Sequence, residues 1–366
     1  MKISIGSKIV KGPYGGGNLF VKNLKNHLEQ EGHVVIDNLK DFDIDIILLI
    51  NPLRYSEIAT FDEKDVNFYL KFKNSNAIIV QRINECDQRK NTKNVNKRIL
   101  SVNNSVDYTV FVSNWLKEIF EEEGIKKSNS KVILSGSDEK IFFISRLNND
   151  KNSKFSLVTH HWSSHPNKGF KTYKLIDNLL DSVEWNKRLD FTYIGNLPKN
   201  FKFNNVKVFP PMPDYELGDE LRKYDGYVTG SLNEPSGNHH IEAAQCGLPI
   251  LYINSGGIPE YCDGYGVIFE ESNFEEKLNY FIQISEEIKH NLVNYPFNSS
   301  KMCSEYLSLF ESLYRNKQNY IYNRKHKSKL NIILRKAINT IDKRFIKIYI
   351  KLINILSNFK NRKVRK

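Results

Sequence analysis

Along most of this chain, short apolar runs alternate with amphipathic stretches of helical period. Ile3-Ser-Ile5, Val34-Val-Ile36, Ile44-Asp-Ile-Ile-Leu-Leu-Ile50 and Ala77-Ile-Ile-Val80 are rich in β-branched residues and are bounded by glycine or polar clusters. Such runs predict short strands buried on both faces, as in a parallel sheet. Asp107–Val112 and Val132–Leu134 extend the series, and helices are predicted at Asn18–Glu31, ended by Gly32, and at Asn114–Glu123. The alternation is that of a doubly wound α/β domain. A polar Asn/Lys/Asp stretch at Asn148–Ser153 reads as a linker, after which the pattern starts again at Phe155–Thr159. Strands are predicted at Phe191–Ile194, Val206–Val208, Gly226–Val228, Ile250–Ile253 and Val267–Ile268, with closing helices near Phe274–His290 and Ser300–Asn316. From Leu330 to Phe359 apolar residues recur every three or four positions with Lys and Arg between them, the pattern of a basic amphipathic helix. The expected organisation is two α/β domains, 1–147 and 148–316, and a helical tail, 317–366.

Size agrees with two domains, since 366 residues supply two ordinary cores. No apolar run reaches the eighteen residues of a membrane span. The chain opens directly on a strand, Met1-Lys-Ile-Ser-Ile-Gly6, without the apolar core of a signal peptide. Cys86, Cys246, Cys262 and Cys303 are scattered without metal-ligand spacing, so free thiols in a reducing, cytoplasmic compartment are expected. The net charge of +12 is unevenly placed: Ile321–Lys366 holds fifteen Lys/Arg and one acid, a net +14, which leaves −2 for the other residues. Basicity confined to a tail is not the footprint of a nucleic-acid cleft. It fits an interfacial helix drawn to anionic lipid, each basic group adding about 1 kcal/mol. Self-association, packing on the body and nucleic-acid binding are the other readings of this tail.

The densest chemistry is in Glu234-Pro-Ser-Gly-Asn-His-His-Ile-Glu242. Pro-Ser-Gly-Asn is turn chemistry. Ser236 or Asn238 can then cap a helix whose apolar stripe is Ile241, Ala244 and Leu248. A loop carboxylate, a helix N-terminus and a second carboxylate thus converge. Carboxylates suit sugar hydroxyls, and the N–H groups of a helix start suit a phosphate.

This segment, with Cys246-Gly-Leu-Pro249 and Ser255-Gly-Gly-Ile-Pro-Glu260 after it, resembles the E-x7-E region of retaining glycosyltransferases of family 4, which have the GT-B fold. The resemblance spans about residues 1–316. It implies two Rossmann-like domains facing a cleft, the acceptor side on the first and the nucleotide sugar on the second, with the last helix of the second packing back on the first. It implies that Glu234 contacts the transferred sugar and stabilises charge at its anomeric carbon, and that Glu242 holds the ribose. Ser236, Gly237, Asn238 and His239 would line the sugar–phosphate site through backbone N–H groups. Metal independence is also a family expectation.

Other segments fit the same scheme. Thr159-His-His-Trp-Ser-Ser-His-Pro-Asn-Lys-Gly169 resembles the loop whose lysine, here Lys168, meets the donor phosphates and, as a catalytic cation, neutralises the leaving diphosphate. The arginine that relatives carry five or six positions earlier is replaced by Ser163 or Trp162, with Arg82 or a histidine as the candidate to compensate. Adjacent His160 and His161 make a poor metal set, and no metal site is assigned. The loop Gly12-Pro-Tyr-Gly-Gly-Gly17 lacks both the dinucleotide fingerprint and a Walker lysine, and is either a mobile turn or a donor cradle through Gly15, Gly16 and Gly17. Val80-Gln-Arg-Ile-Asn-Glu-Cys-Asp-Gln-Arg-Lys90 follows a strand and resembles a polar segment of some of these transferases, so Arg82, Asn84 and Asp87 are candidate acceptor or sugar contacts, or else a solvated loop. Ser135-Gly-Ser-Asp138 reads as a structural turn at the domain junction, and Asp43-Ile-Asp45 as a turn instead of a D-x-D metal motif.

The resulting expectation is a hexosyltransferase-type enzyme of glycoconjugate or polysaccharide synthesis. It would move a sugar from a UDP- or GDP-linked donor to a glycan or lipid-linked acceptor with retention, on the cytoplasmic membrane face. Two alternatives use the same cleft: an epimerase or phosphorylase acting without a glycan acceptor, and a degenerate, non-catalytic glycan- or membrane-binding subunit.

Overall fold

A computed structural model of the chain describes residues 1–10, 16–50, 58–125, 127–145, 154–322 and 333. The linker at 148–153 and the basic tail beyond residue 322 lie outside these, apart from residue 333. Twelve strands are described: β1 (Lys2–Ile5), β2 (Val34–Ile36), β3 (Ile46–Leu49), β4 (Ile78–Ile83), β5 (Tyr108–Phe111), β6 (Ser130–Val132), β7 (Phe155–His161), β8 (Leu189–Gly195), β9 (Lys207–Phe209), β10 (Gly226–Thr229), β11 (Ile250–Ile253) and β12 (Gly266–Phe269). They form two six-stranded parallel sheets, ordered β2-β1-β3-β4-β5-β6 and β12-β11-β10-β7-β8-β9. This is the expected pair of doubly wound domains.

Period-two alternation divides the first sheet into two buried faces. Ile3, Ile5, Ile46, Leu48, Ile78 and Val80 meet Phe20, Leu24 and Leu28 of the helix Gly16–Gln30. Ile47, Leu49 and Ile79 face the other way, onto Val66, Tyr69 and Leu70 of the helix Glu63–Phe72. With both faces covered, the strands have no polar side to show, which explains their uninterrupted apolar runs. The helix Ser299–Arg315 lies within the expected bounds of the second domain yet packs into the first: Met302, Tyr306 and Phe310 join the core beneath β1 and β4.

Several side chains fix one domain against the other. Glu260 accepts from the backbone N–H of Asn114 at 2.7 Å and of Trp115 at 2.8 Å. A second-domain carboxylate therefore satisfies two orphan donors at the start of the first-domain helix Asn114–Glu122. The Tyr261 hydroxyl donates to the Val112 carbonyl and accepts from the Ser135 N–H at 3.0 Å. Gly136 lies so close to the Asn298 carbonyl that a Cβ would stand 2.0 Å from its oxygen, which supports the structural reading of Ser135–Asp138. Asp43 takes an ion pair from Lys2 at 2.7 Å and Asp45 accepts the Lys2 backbone N–H at 2.8 Å, so both make contacts to β1 from the irregular segment before β3.

In each sheet strand order reverses at one place, between β1 and β3 in the first and between β7 and β10 in the second. Crevices for ligands open at the carboxyl ends of strands at such points. Ile9 and Val10 after β1, Asn84 after β4, Trp162 and Ser163 after β7 and Glu234 after β10 line one cavity.

Candidate active site

A cleft of about 580 Å³ lies between the domains. Glu234, Ser236, Gly237, Asn238, His239 and Glu242 line it from the loop and helix after β10, and Lys168 lines it from the loop after β7. Gly16, Gly17, Arg82 and Asn84 line it from the first domain. Gly15 lies outside the described residues.

Glu234 is 4% exposed and holds two cations. Lys168 pairs with Oε2, and the Arg89 guanidinium with Oε1 at 3.1 Å. Burial pushes this carboxyl up, but Arg89 and Lys168 outweigh it, and the net direction is strongly down. Glu234 is therefore ionised at any physiological pH. Its backbone is clamped as well: Gly257 N–H donates to the Glu234 carbonyl at 2.9 Å, and a Cβ on Gly256, at φ +65°, would stand 2.5 Å from that oxygen. The second half of the sequence motif thus holds the first in place.

The helix after Glu234 runs from Asn238 to Gln245. Neither Ser236 nor Asn238 caps it: Gly237, at φ +71°, occupies the N-cap position and no side-chain cap bond is made. The first N–H groups of the helix therefore open on the cleft, where a phosphate can take them. A Cβ on Gly237 would stand 2.7 Å from His240 Cε1 and 2.9 Å from Glu234 Cγ, which is why the turn needs glycine. Gly16 meets the same helix start across the domains, since a Cβ there would come 2.7 Å from Asn238 Cγ.

Glu242 is 7% exposed and bonded to His160 Nε2 at 2.9 Å. Four histidines cluster here, and three of them, His160, His161 and His239, line the cleft themselves. His161 and His239 rings lie 4.6 Å apart, and His239 Nε2 meets Thr229 Oγ1 at 2.9 Å. Burial is the first reason the imidazoles of His161, His239 and His240 lie below the ordinary value, His240 at about 3. They are neutral at pH 7. Among the described residues no group of three His, Cys, Asp or Glu is arranged around a metal position.

The polar segment after β4 divides. Arg82 and Asn84 face the cleft, but Asp87 does not: its carboxylate accepts from Thr92 Oγ1 at 2.6 Å and from the N–H groups of Val95 at 2.9 Å and Asn96 at 3.1 Å. Asp87 therefore anchors the start of the helix Val95–Asn103, and the sequence expectation of a substrate contact there is corrected. Gln81 is wholly buried on the opposite face, bonded to Asn103 at 2.9 Å. Arg89, to which sequence reasoning gave no role, lies two positions beyond Asp87 on a single helical turn that carries it to Glu234. His160 was seen only as a poor metal ligand, and its pairing with Glu242 had no local signal.

Residues 191–298 match the family model described as Glycosyl transferases group 1, which covers the second domain from β8 to the start of the last long helix. No curated protein matches the chain. Among solved structures, the chain is similar to a glycosyltransferase from Rickettsia africae, with 16% identity and a TM-score of 0.60 over 86% of this chain and 98% of that one. It is also similar to Anabaena HepE in complex with UDP, with 16% identity and a TM-score of 0.65 over 85% and 100% of the two chains. A third is sucrose-phosphate synthase from Thermosynechococcus elongatus, with 14% identity and a TM-score of 0.59 over 86% and 98%. The fold is GT-B. The matched region supports a glycosyltransferase.

Proposed function

We propose that the protein transfers a sugar, of hexose type, from a nucleoside diphosphate to a glycan or lipid-linked acceptor with retention at the anomeric carbon, as family 4 enzymes do. The observation that carries this reading is Glu234, buried and ionised between Lys168 and Arg89, beside a helix N-terminus open to the cleft.

In this reading the donor diphosphate meets the N–H groups at Asn238 and the ammonium of Lys168, approached from the other side by Gly16 and Gly17. Glu242, steadied by His160, takes the ribose hydroxyls. As the anomeric C–O bond breaks, negative charge grows on the departing phosphate and positive charge on the sugar. Lys168 answers the first and Glu234 the second. Arg89 supplies the second cation for the leaving group, in place of the arginine missing at Ser163 or Trp162. The acceptor hydroxyl attacks from the face that the phosphate leaves, and its proton passes to the phosphate oxygen. Two side-chain cations and a helix end supply the positive charge otherwise sought from a metal, so turnover is expected to survive chelation. HepE is described with bound UDP and with UDP-glucose, which favours a uridine donor here. Among the described residues no helix is long and apolar enough to cross a membrane. The basic tail is proposed to hold the enzyme on the cytoplasmic face of an anionic membrane.

The test is nucleoside diphosphate release from UDP- and GDP-sugars with and without glycan acceptors. Release that depends on acceptor supports transfer. Donor conversion without acceptor points to an epimerase or phosphorylase, and no conversion at all to a non-catalytic subunit.

A further inference from the structure

Arg82 is a cationic side chain of the cleft that the proposed function leaves without a task. It sits near the carboxyl end of β4, in register with Val110 of β5. Alternation along the strand puts it on the face of Ile78 and Val80, above the core that the last helix completes. It is 4% exposed, and its guanidinium lies 4.0 Å over the ring of Phe20. Nε and Nη1 are both buried without a hydrogen-bond partner, and among the described residues no carboxylate pairs with it. The Tyr306 hydroxyl, from the last helix, lies beside the guanidinium, although no hydrogen bond of ordinary geometry joins them, and its ring is 5.2 Å from that of Phe20.

An uncompensated guanidinium among apolar and aromatic neighbours is costly. A Phe20 ring face offsets part of that, but it accepts none of the N–H groups at the guanidinium edge. Replacement by an apolar side chain would relieve the cost, so the charge is explained by something anionic that enters the cleft. Lys168 and Arg89 already converge on Glu234, where the donor is placed. Arg82 lines the same cleft from the first domain, as Asn84 does, and makes no ion pair with Glu234.

We propose that Arg82 is the binding site for an anionic group, a phosphate or a carboxylate, carried by the acceptor, so that the enzyme glycosylates a negatively charged acceptor. This rests on the glycosyltransferase reading and deepens it by naming the charge of the second substrate. A guanidinium suits both groups because its planar donors match their paired oxygens. A sugar phosphate, a lipid phosphate and an acidic sugar all present this chemistry.

The experiment uses the full chain and its Arg82→Met and Arg82→Lys variants. Melting temperature is followed against inorganic phosphate and, separately, acetate, at fixed ionic strength, alone and with saturating UDP or GDP to occupy the donor phosphate site. In wild type, one or both anions raise the melting temperature further in the presence of the nucleotide. Arg82→Met weakens that response at least tenfold, Arg82→Lys keeps part of it, and the nucleotide response is equal in all three. Without ligand, Arg82→Met melts no lower than wild type, because an unpaired buried charge has been removed. A response to phosphate alone points to a phosphorylated acceptor, and a response to acetate as well to an acidic sugar. The proposal is overturned if both anions act equally on wild type and Arg82→Met, or if Arg82→Met loses the nucleotide response, which would place Arg82 on the donor. A fall in its unliganded melting temperature would make Arg82 a structural cation and overturn it too. Failure of every nucleotide to bind wild type would instead count against the glycosyltransferase reading, while the anion response still reports on Arg82.

Discussion

Arg89 and Glu234 form an ion pair of 3.1 Å across the cleft, one residue from each domain, while Lys168 holds the other oxygen of the same carboxylate. The negative charge at the reacting centre is thus shared between a cation of its own domain and one that depends on how the domains are set. Glu234→Gln keeps the shape and removes the charge. Transfer is expected to fall about 10²–10³-fold, the usual loss for one electrostatic contact at a transition state. The melting temperature should also drop, because Lys168 and Arg89 lose their counter-ion. Initial rates and thermal denaturation on one preparation check both.

Arg89→Met is expected to lower kcat about 10–100-fold, since one of two leaving-group cations is lost. Arg89→Lys should recover part of that, having charge without the planar fork. Steady-state kinetics at saturating donor read the difference. A normal kcat in Arg89→Met would confine Arg89 to joining the domains.

Gly256→Ala tests the clamp on Glu234. Alanine at this left-handed position costs about 1–2 kcal/mol before any clash, and its Cβ would stand 2.5 Å from the Glu234 carbonyl oxygen. Activity should fall several-fold or more although residue 256 is not assigned to substrate, and melting temperature should fall with it. Gly264→Ala is the control: it also has a positive φ, +79°, but a Cβ there meets open space, so it should lose stability and keep activity.

Acidification should destabilise the second domain. The imidazoles of His161, His239 and His240 are held below the ordinary 6.5, by burial first, so the unfolded chain binds protons there that the folded chain refuses. Each contributes stability that is complete above pH 6.5 and is lost as pH falls, towards about 3 for His240. The melting temperature is expected to decrease steadily from pH 7.5 to about pH 5. His240→Gln should show a shallower slope. A flat profile in wild type would mean that these rings titrate normally.

Much of this fold was legible because strands buried on both faces have a strong signature. Val34–Ile36 and Ile250–Ile253 were placed to the residue. The run at Ala77–Val80 was cut short, because β4 continues through Gln81 and Arg82, whose polarity resembles a loop. That polarity has two causes, a buried amide network for Gln81 and the cleft for Arg82. The convergence of Glu234, Glu242 and Lys168 on one cleft was legible because a glycine-rich turn and a helix start sit beside them. Arg89 was not, since its partner is 145 positions away and only the docking of two sheets brings them together. Asp87 was misread for the opposite reason: a carboxylate at a strand end can turn back to cap the next helix, and which it does depends on Thr92 and Val95. The one-turn segment at Asp87–Lys90 is too short for periodicity to register.

The central claim is that a nucleotide sugar binds at Glu234, Lys168 and the Asn238 helix start without help from a metal. Its most direct test is thermal denaturation of the full chain against UDP-, GDP-, ADP- and CMP-sugars, each with and without EDTA. The account predicts a rise in melting temperature with one nucleotide class, unchanged by EDTA and lost in Lys168→Ala. No rise with any donor, or a rise that EDTA abolishes, would contradict it.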